Sequence, residues 1–346
     1  MNKSIRLITT ILLVAATAFV QSCITEDTYE STPRGVLEAL WKTMDENYCF
    51  FQEKKDSFGV DWDDVHAAYA SRVDDAMDNY QLFDLCAEML NELRDGHVNL
   101  IASHDVSAYG AWADAYPANY SDTLERIYLG KTGEYRVSAG IRYRVLKNNV
   151  GYMRVESFAN AIGNGNLGEI MQALAPCSGL IVDIRSNSGG LLTSAEKLAS
   201  AFYDEETIVG YIAHKTGRGR GDFSTPTPIS LSPFVGLRWQ KPFVVLTNRS
   251  VYSAANSFVA YVRYAPGVTI MGDRTGGGGG MPLTKELPNG WAVRMSASPL
   301  YDAKMNSIES GIFPDVGVGL TNADFLRGID TMIEAASELL LQKAAE

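Results

Sequence analysis

Three amphipathic segments near the front of the chain predict helices. In each of them apolar residues recur at the three- and four-residue spacing of one helix face. These residues are Leu37, Leu40, Trp41, Met44 and Tyr48, then Val65, Tyr69 and Val73, then Leu82, Leu85, Met89, Leu90 and Leu93. We interpret residues 35–100 as a small N-terminal helical domain. Residues 101–140 are mixed and turn-rich, and we treat them as a connecting segment without predicted elements.

From about residue 141 short apolar runs alternate with helical segments. The predicted strands are Val150–Val155, Leu180–Ile184, Ile208–Ile212, Phe243–Leu246, Val268–Met271 and Trp291–Met295. The predicted helices are Leu167–Leu174, Ala195–Phe202 and Ala254–Tyr264, and one long closing helix through Leu326, Ile329, Met332, Ile333, Ala336 and Leu340. Thr321 and Asp324 form a plausible cap for that last helix. Strands that alternate with helices predict an α/β core over residues 141–346.

The first 22 residues have the pattern of a signal peptide. Lys3 and Arg6 precede the apolar stretch Leu7–Val20, which is shorter than the roughly 20 residues that a membrane span needs. We exclude residues 1–22 from the fold and assign residues 23–34 to a linker.

A cysteine follows this stretch in a frame that resembles the cleavage box of bacterial lipoproteins. Ser22 is the small residue before Cys23, although Gln21 departs from the small residue usual at its position. We therefore predict acylation of Cys23 and an exported lipoprotein anchored to the cell envelope, at the outer membrane on its periplasmic or surface side. The alternative is an ordinary signal peptide cut near Ser22, with Cys23 incidental.

Charge and residue counts exclude several classes of function. The net charge is -11, and the longest basic cluster is only Lys215–Arg220, so nucleic acid is not an expected partner. Cys49, Cys86 and Cys177 form a sparse, odd set that argues against a disulfide scaffold. The chain has no Cys-x-x-Cys or His-Glu-x-x-His motif, so we predict neither a metal site nor a cofactor.

A serine between an apolar strand and a helix is the candidate nucleophile. In the segment Leu246–Asn256, Ser253 precedes the helix, where free N–H groups and the helix dipole favour developing negative charge. Ser253 is then the nucleophile and the Ala254 N–H an oxyanion donor. Most serines at such positions only cap a helix, and Ser250 and Ser257 are weaker rivals.

A second motif, Gly179–Gly190, ends an apolar strand in a Gly-Gly turn. Glycine lets the backbone approach a ligand closely, so the N–H of Gly189 or Gly190 is the candidate second oxyanion donor. An ordinary turn before a helix fits this segment equally well. We expect Asp183 and Arg185 to hold the turn.

A hydroxyl nucleophile needs a base, and His97 is the best candidate. It follows Gly96 at the end of the helical domain, whereas His66 lies within a predicted helix and His104 and His214 have no other site features nearby. A carboxylate late in the core, either Glu309 or Asp315, is positioned in sequence to orient a catalytic residue.

Together these motifs resemble the C-terminal processing peptidase family, which includes the tricorn core and the interphotoreceptor retinoid-binding proteins. The resemblance covers about residues 140–320 with the motifs in the right order. It is carried by Asp183-x-Arg185-x-Asn187-x-Gly189-Gly190, Tyr252-Ser253-Ala254 and Glu309-x-Gly311-x-x-Pro314-Asp315. The resemblance implies an α/β, crotonase-like (ClpP-like) core of ββα turns preceded by a helical domain. The roughly 45 residues between His97 and the core are too few for a full PDZ domain.

The family divides by its catalytic base, and this chain resembles the tricorn-like branch. The processing-peptidase branch places a lysine in a glycine turn, but Gly272–Gly280 contains none and Lys285 lies beyond it. The tricorn-like branch instead uses a histidine of the helical domain and a late glutamate, which His97 and Glu309 match. Gly96 stands where tricorn has a serine, and that departure leaves the role of Glu309 open.

The resemblance implies a serine endopeptidase that cuts exported peptides or proteins through an acyl-enzyme, with peptide substrates and the membrane as partners. The alternative within the fold is a non-catalytic protein that holds a small apolar ligand or a peptide. An α/β-hydrolase is excluded because no serine of the chain lies in a Gly-x-Ser-x-Gly frame.

Overall fold

A computed structural model describes residues 28–110 and 115–345 of the protein. The predicted signal peptide and Cys23 lie outside these ranges. Within them, no helix combines the length and the apolar character that crossing a membrane requires.

Four helices form the front of the described chain: α1 Pro33–Asn47, α2 Phe51–Phe58, α3 Trp62–Ala70 and α4 Asn79–Asn91. Their starts follow from local chemistry. The Thr32 side chain accepts the Gly35 N–H, and Asp78 forms a capping box with Gln81 at the start of α4. The apolar faces pack on one another and on Val293 and Met295. The front helices therefore share a core with a strand from the far end of the chain.

The remaining helices are α5 Asp122–Leu129, α6 Asn164–Leu174, α7 Leu192–Ala199, α8 Ala254–Val262, α9 Asn322–Phe325 and α10 Thr331–Ala345, with a 3-10 turn at Ser200–Phe202. The strands are β1 Asn99–Ile101, β2 Arg136–Ser138, β3 Ile141–Val145, β4 Val150–Arg154, β5 Gly179–Asp183, β6 Thr207–Ile212, β7 Thr227–Leu231, β8 Phe243–Thr247, β9 Val268–Gly272, β10 Gly280–Glu286, β11 Ala292–Asp302 and β12 Val316–Gly317.

The larger sheet has the order β12-β9-β8-β5-β4-β3-β2. Its first five strands run parallel, and β3 and β2 extend it antiparallel. Strands β4, β5 and β8 are buried along their whole length, as expected for parallel strands covered on both faces. One face packs on α6, α7 and α8, and the other on α10.

The smaller sheet is antiparallel and has the order β1-β11-β6-β7, with β10 paired to β11 as well. Because β1 follows the helical front and β11 comes late in the chain, this sheet joins the two ends of the sequence. The protein is thus a mixed α/β fold.

Every other predicted strand and helix of the core is present, but the prediction of one continuous closing helix is wrong. Thr321 does cap a helix, since its hydroxyl accepts the Asp324 N–H at 3.1 Å, but that helix ends at Phe325. Gly328 then has a left-handed φ of 72°, and a second helix begins at Thr331. The Asp330 carboxylate accepts the N–H groups of the new helix's first turn. This local cap and the glycine turn override the continuous apolar pattern.

A fully buried ion-pair network holds the strand end below the Gly-Gly turn. Arg185 donates to Asp183 at 2.6 and 2.9 Å and to Asp330 at 3.1 Å, and all three side chains are 0% exposed. Asp183 and Arg185 thus hold the end of β5, and a direct role of the two side chains in the Gly-Gly turn that follows stays a prediction. Burial opposes ionisation of Asp183, but the charge of Arg185 and its hydrogen bonds lower the pKa of this carboxyl to about 2.

We predict that Asp330→Ala destabilises the protein by about 3–5 kcal/mol, because it leaves part of the buried Arg185 charge uncompensated. The matched control is Arg72→Ala, which breaks an exposed pair with Glu88 and should cost at most about 1 kcal/mol. Urea unfolding of the two variants measures both values. Equal effects would contradict the assignment of a structural role to the buried network.

Candidate active site

Ser253 lies at a strained turn between β8 and α8. Its φ of 56° and ψ of -126° are unfavourable for a residue with a side chain. Backbone hydrogen bonds hold the turn from two sides: the Ser253 N–H donates to Gly277 at 2.9 Å and the Tyr252 N–H to Asn187 at 3.0 Å. The turn therefore fixes the Ser253 Cβ at the start of the helix.

The Gly-Gly turn after β5 lies directly beside this serine. A Cβ atom added to Gly189 would lie 2.8 Å from the Ser253 Cβ and 2.9 Å from the Ala254 nitrogen. Gly189 also has a left-handed φ of 107°. A side chain at this position is excluded by both contact and conformation.

The candidate oxyanion donors differ in whether they are already bonded. The Gly189 N–H donates to the Asn187 side chain at 2.9 Å. Within the described residues, the N–H groups of Gly190 and Ala254 have no hydrogen-bond acceptor. Gly190 packs on the backbone of Phe158, where an added Cβ would lie 2.3 Å from a carbonyl carbon. Gly190 and Ala254 thus keep the donors that an oxyanion requires.

His97 reaches this turn from the helical front. Its ring packs edge-on against Tyr252, the residue before Ser253, with the ring centroids 4.9 Å apart. The side chain is buried, and its Nδ1 atom has no hydrogen-bond partner in the described structure. Burial lowers the pKa of His97 below its ordinary value of 6.5, although the charge of Asp95 opposes this shift. The imidazole is therefore neutral at neutral pH, as a general base must be.

Asp95 is the carboxylate that organises the loop of His97. It accepts the His97 backbone N–H at 2.8 Å and the hydroxyls of Ser296, Tyr48 and Tyr252 at 2.9, 3.1 and 3.2 Å. Burial opposes ionisation, but the charge of Lys54 and these hydrogen bonds lower the pKa of Asp95. A buried anion thus links the helical front, β11 and the turn of Ser253.

Glu309 bonds to Lys54 and to the backbone of residues 276–280, a run of five glycines called the glycine loop below. Its Oε1 atom accepts from Lys54 at 2.8 Å and its Oε2 atom from the Gly279 N–H at 2.9 Å. Burial and then the charge of Asp95 raise the pKa of Glu309, whereas the charge of Lys54 and its hydrogen bond lower it and favour the ionised carboxylate. The hydrogen bonds of Glu309 do not include the His97 ring. The carboxylate instead ties the loop that pairs with Ser253 to α2.

The competing candidates lie in other settings. Asp315 accepts the Ile270 N–H at 2.8 Å in β9, and Ser257 is buried within α8. His66 contacts Glu38, and His214 contacts Ser298. Lys285 lies in the exposed part of β10.

Among the residues the structure describes, no cluster of side chains could hold a metal ion.

Sequence analysis missed two residues of this site, Lys54 and the carboxylate of Asp95. Asp95 had a usable signal, because an aspartate two residues before an N–H commonly accepts it in a turn. Lys54 had none, because it lies in a short polar helix and its partner Glu309 is 255 positions away.

Comparisons with known proteins place this geometry in a family. The profile of peptidase family S41 matches residues 149–318, and that of the tricorn protease C1 domain matches residues 29–91. The crystal structure of a putative peptidase from Parabacteroides merdae is 46% identical, with a TM-score of 0.85, over 90% of this chain and 98% of that one.

Curated relatives are more distant and longer. The carboxyl-terminal-processing protease of Synechocystis sp. is 28% identical over 56% of this chain and 44% of its own length. The carboxy-terminal processing protease CtpA of Bacillus subtilis is 26% identical over 49% of this chain and 35% of its own length. The chain spans less than half the length of these relatives.

The extensive match to the Parabacteroides merdae structure, together with the two family profiles, covers both the helical front and the core that carry the site. The chain belongs to peptidase family S41, the serine peptidase family of the carboxyl-terminal processing and tricorn proteases.

Proposed function

We propose that the protein is a serine endopeptidase that hydrolyses peptide bonds of exported proteins or peptides through a Ser-His mechanism. The observation that carries the proposal is the arrangement around Ser253. Ser253 has a strained backbone, and the N–H groups of Gly190 and Ala254 have no acceptor among the residues that the structure describes. The neutral, buried His97 packs on Tyr252, so three distant parts of the chain meet at this site.

In the acylation step the His97 imidazole removes the Ser253 hydroxyl proton, and Oγ attacks the carbonyl carbon of the peptide bond. The Ala254 and Gly190 N–H groups stabilise the resulting oxyanion. When the C–N bond breaks, His97 returns the proton to the leaving amine. A water molecule, deprotonated by the same imidazole, then hydrolyses the acyl-enzyme and regenerates Ser253.

Glu309 acts in this proposal as a positioning residue. Through its bond to the Gly279 N–H it holds the glycine loop whose Gly277 carbonyl accepts the Ser253 N–H. The Lys54 ammonium group compensates the buried negative charge of the Glu309 carboxylate. Gly96 left the role of Glu309 open, and we assign to Glu309 the support of the turn that carries Ser253.

The finer features of the fold and the cell location belong to the same proposal. We assign residues 141–346 to a crotonase-like spiral core, residues 35–100 to the helical domain and residues 101–140 to a connection that lacks a full PDZ domain. Acylation at Cys23 would hold the protein at the cell envelope, where exported substrates are available.

Ser253→Ala should abolish both hydrolysis of a cleaved peptide and covalent labelling by a fluorophosphonate, because the reacting oxygen is removed. Intact-mass spectrometry measures the labelling, and circular dichroism checks that the variant folds. Ser250→Ala is the matched control and should label like the unmodified protein. An unmodified protein that resists the reagent would instead favour the non-catalytic binding alternative.

His97→Ala should slow fluorophosphonate labelling by about 10²–10⁴-fold, the usual contribution of a general base. Lys285→Ala should leave the labelling rate unchanged, because that lysine lies in the exposed part of β10. If Lys285→Ala slowed labelling and His97→Ala did not, a Ser-Lys mechanism would replace the proposed one.

The pH dependence of labelling follows from the lowered pKa of His97. A base with an ordinary pKa of 6.5 would be half protonated at pH 6.5, whereas the buried His97 is mostly neutral there. The labelling rate at pH 6.5 should therefore exceed half of its plateau value at higher pH. If the labelling rate reached half of its plateau only above pH 6.5, burial would not control the protonation state of His97.

Lys54→Met should destabilise the protein by about 3–5 kcal/mol, because it leaves the buried Glu309 carboxylate without its cation. Adding Glu309→Gln to this variant should restore most of the lost stability. Lys55→Met is the control, since Lys55 pairs with Asp61 at the exposed surface and should contribute at most about 1 kcal/mol. Urea unfolding tests the prediction, and a double variant no more stable than Lys54→Met would refute it.

A further inference from the structure

The acylation step gives the His97 ring a positive charge, and no hydrogen bond of the ring compensates it. The side chain is 4% exposed, and its Nδ1 atom has no hydrogen-bond partner among the residues that the structure describes. The carboxylate of Glu309 bonds to Lys54 and to the Gly279 N–H rather than to this ring. Because an uncompensated buried charge is costly, the proposed reaction needs an anion from another residue.

Two charged side chains act on the His97 ring, and their signs are opposite. Burial lowers the pKa of His97, the charge of Asp95 raises it, and the charge of Arg294 lowers it. Arg294 lies in β11 and donates to Asn99 at 3.2 Å, whereas Asp95 lies in the loop of the histidine itself. Burial raises the pKa of Tyr252 well above its ordinary value, so this neighbouring hydroxyl stays neutral. Asp95 is therefore the anion available to a protonated imidazole.

Four hydrogen bonds hold the Asp95 carboxylate in place, and two of them end on the same oxygen. Its Oδ1 atom accepts the His97 backbone N–H at 2.8 Å and the Tyr252 hydroxyl at 3.2 Å. Its Oδ2 atom accepts the hydroxyls of Ser296 at 2.9 Å and Tyr48 at 3.1 Å. Rotation of the carboxylate towards the ring would break these bonds. Asp95 thus acts on the imidazole through its charge and through the backbone.

The shared Oδ1 atom connects the base to the residue before the nucleophile. Tyr252 precedes Ser253, and its ring packs on that of His97 with the centroids 4.9 Å apart. Because the Tyr252 hydroxyl and the His97 N–H bond to one buried oxygen, the relative position of the two rings is fixed. Burial opposes ionisation of Asp95, but the charge of Lys54 and the hydrogen bonds lower its pKa, so the oxygen stays negative.

We propose that Asp95 is the positioning residue of the catalytic histidine, an inference that rests on the proposed Ser-His mechanism. Its Oδ1 atom holds the imidazole against the turn of Ser253, and its negative charge stabilises the imidazolium that forms when His97 takes the Ser253 proton. Asp95 stays ionised throughout, and His97 passes the proton on to the leaving amine. The resemblance to the tricorn-like branch implies that Glu309 is the supporting acid, whereas we assign that part to Asp95.

Asp95→Asn in the full-length chain tests the charge. Asparagine has nearly the same size, and its side-chain oxygen can still accept the His97 N–H. Lys54 and Glu309 compensate each other in this variant, so we expect it to fold, which circular dichroism checks. The fluorophosphonate labelling rate is then measured as a function of pH.

The plateau rate of Asp95→Asn should fall at least about tenfold, a part of the roughly 10²–10⁴-fold contribution of a general base. The pH of half-maximal labelling should move to lower values, because loss of the anion lowers the pKa of His97 further. A merely structural role would reduce the fraction of protein that labels without moving this pH. Intact-mass spectrometry measures that fraction.

Glu309→Gln is the matched comparison, since both carboxylates are buried and both act on Lys54. It should slow labelling through the serine turn but leave the pH of half-maximal labelling unchanged, because the anion that acts on the imidazole is Asp95. Asp84→Asn removes an exposed carboxylate of α4 and should change neither the rate nor this pH.

Tyr252→Phe tests the positioning of the ring, because it keeps the aromatic contact with His97 and removes the hydroxyl that bonds to Asp95. Labelling should slow about tenfold, the effect of one hydrogen bond to a charged group, and the pH of half-maximal labelling should stay where it is. This variant also decides the proposal if Asp95→Asn does not fold. Labelling as fast as in the unmodified protein would then overturn it.

An Asp95→Asn variant that keeps the pH of half-maximal labelling would overturn the assignment, and so would a shift caused by Glu309→Gln instead. These outcomes are separate from a failure of the proposed function, which labelling of the unmodified protein and of Ser253→Ala tests directly. A chain whose labelling depends on His97 but not on Asp95 is a serine peptidase without this positioning residue.

Discussion

The buried carboxylate of Asp95 is the interaction on which the rest of the site depends. It accepts hydrogen bonds from Tyr48 at the end of α1, Ser296 in β11, Tyr252 in the serine turn and the backbone of His97. These groups come from the front, the middle and the end of the chain. Since an unpaired buried anion is costly, the folded protein must bring all of them together, and doing so places His97 against the turn of Ser253.

Around this anion the site balances strain and charge. Ser253 keeps an unfavourable backbone conformation because its N–H and that of Tyr252 are both bonded to neighbouring loops. Gly189 allows those loops to approach, and Glu309 holds the glycine loop from behind. Burial lowers the pKa of Lys54, but the charges of Glu309 and Asp95 outweigh burial and raise it, so Lys54 stays positive beside these carboxylates. Burial outweighs the opposing charge of Asp95 on His97, so its ring stays neutral.

The sequence by itself determined three of the four front helices, six strands and three helices of the core, and the serine and glycine motifs, because apolar periodicity and turn chemistry act over a few residues. It did not predict the short polar helix α2 that carries Lys54. It failed at the closing helix, where the glycine turn at Gly328 and the cap at Asp330 outweigh a continuous apolar pattern. Only the tertiary structure decided which groups meet: His97 with Tyr252, Lys54 with Glu309, and Arg94 with Arg274 in one pocket. These pairs are separated by more than 150 positions, and no local pattern records them because burial and charge compensation across the whole fold select each partner.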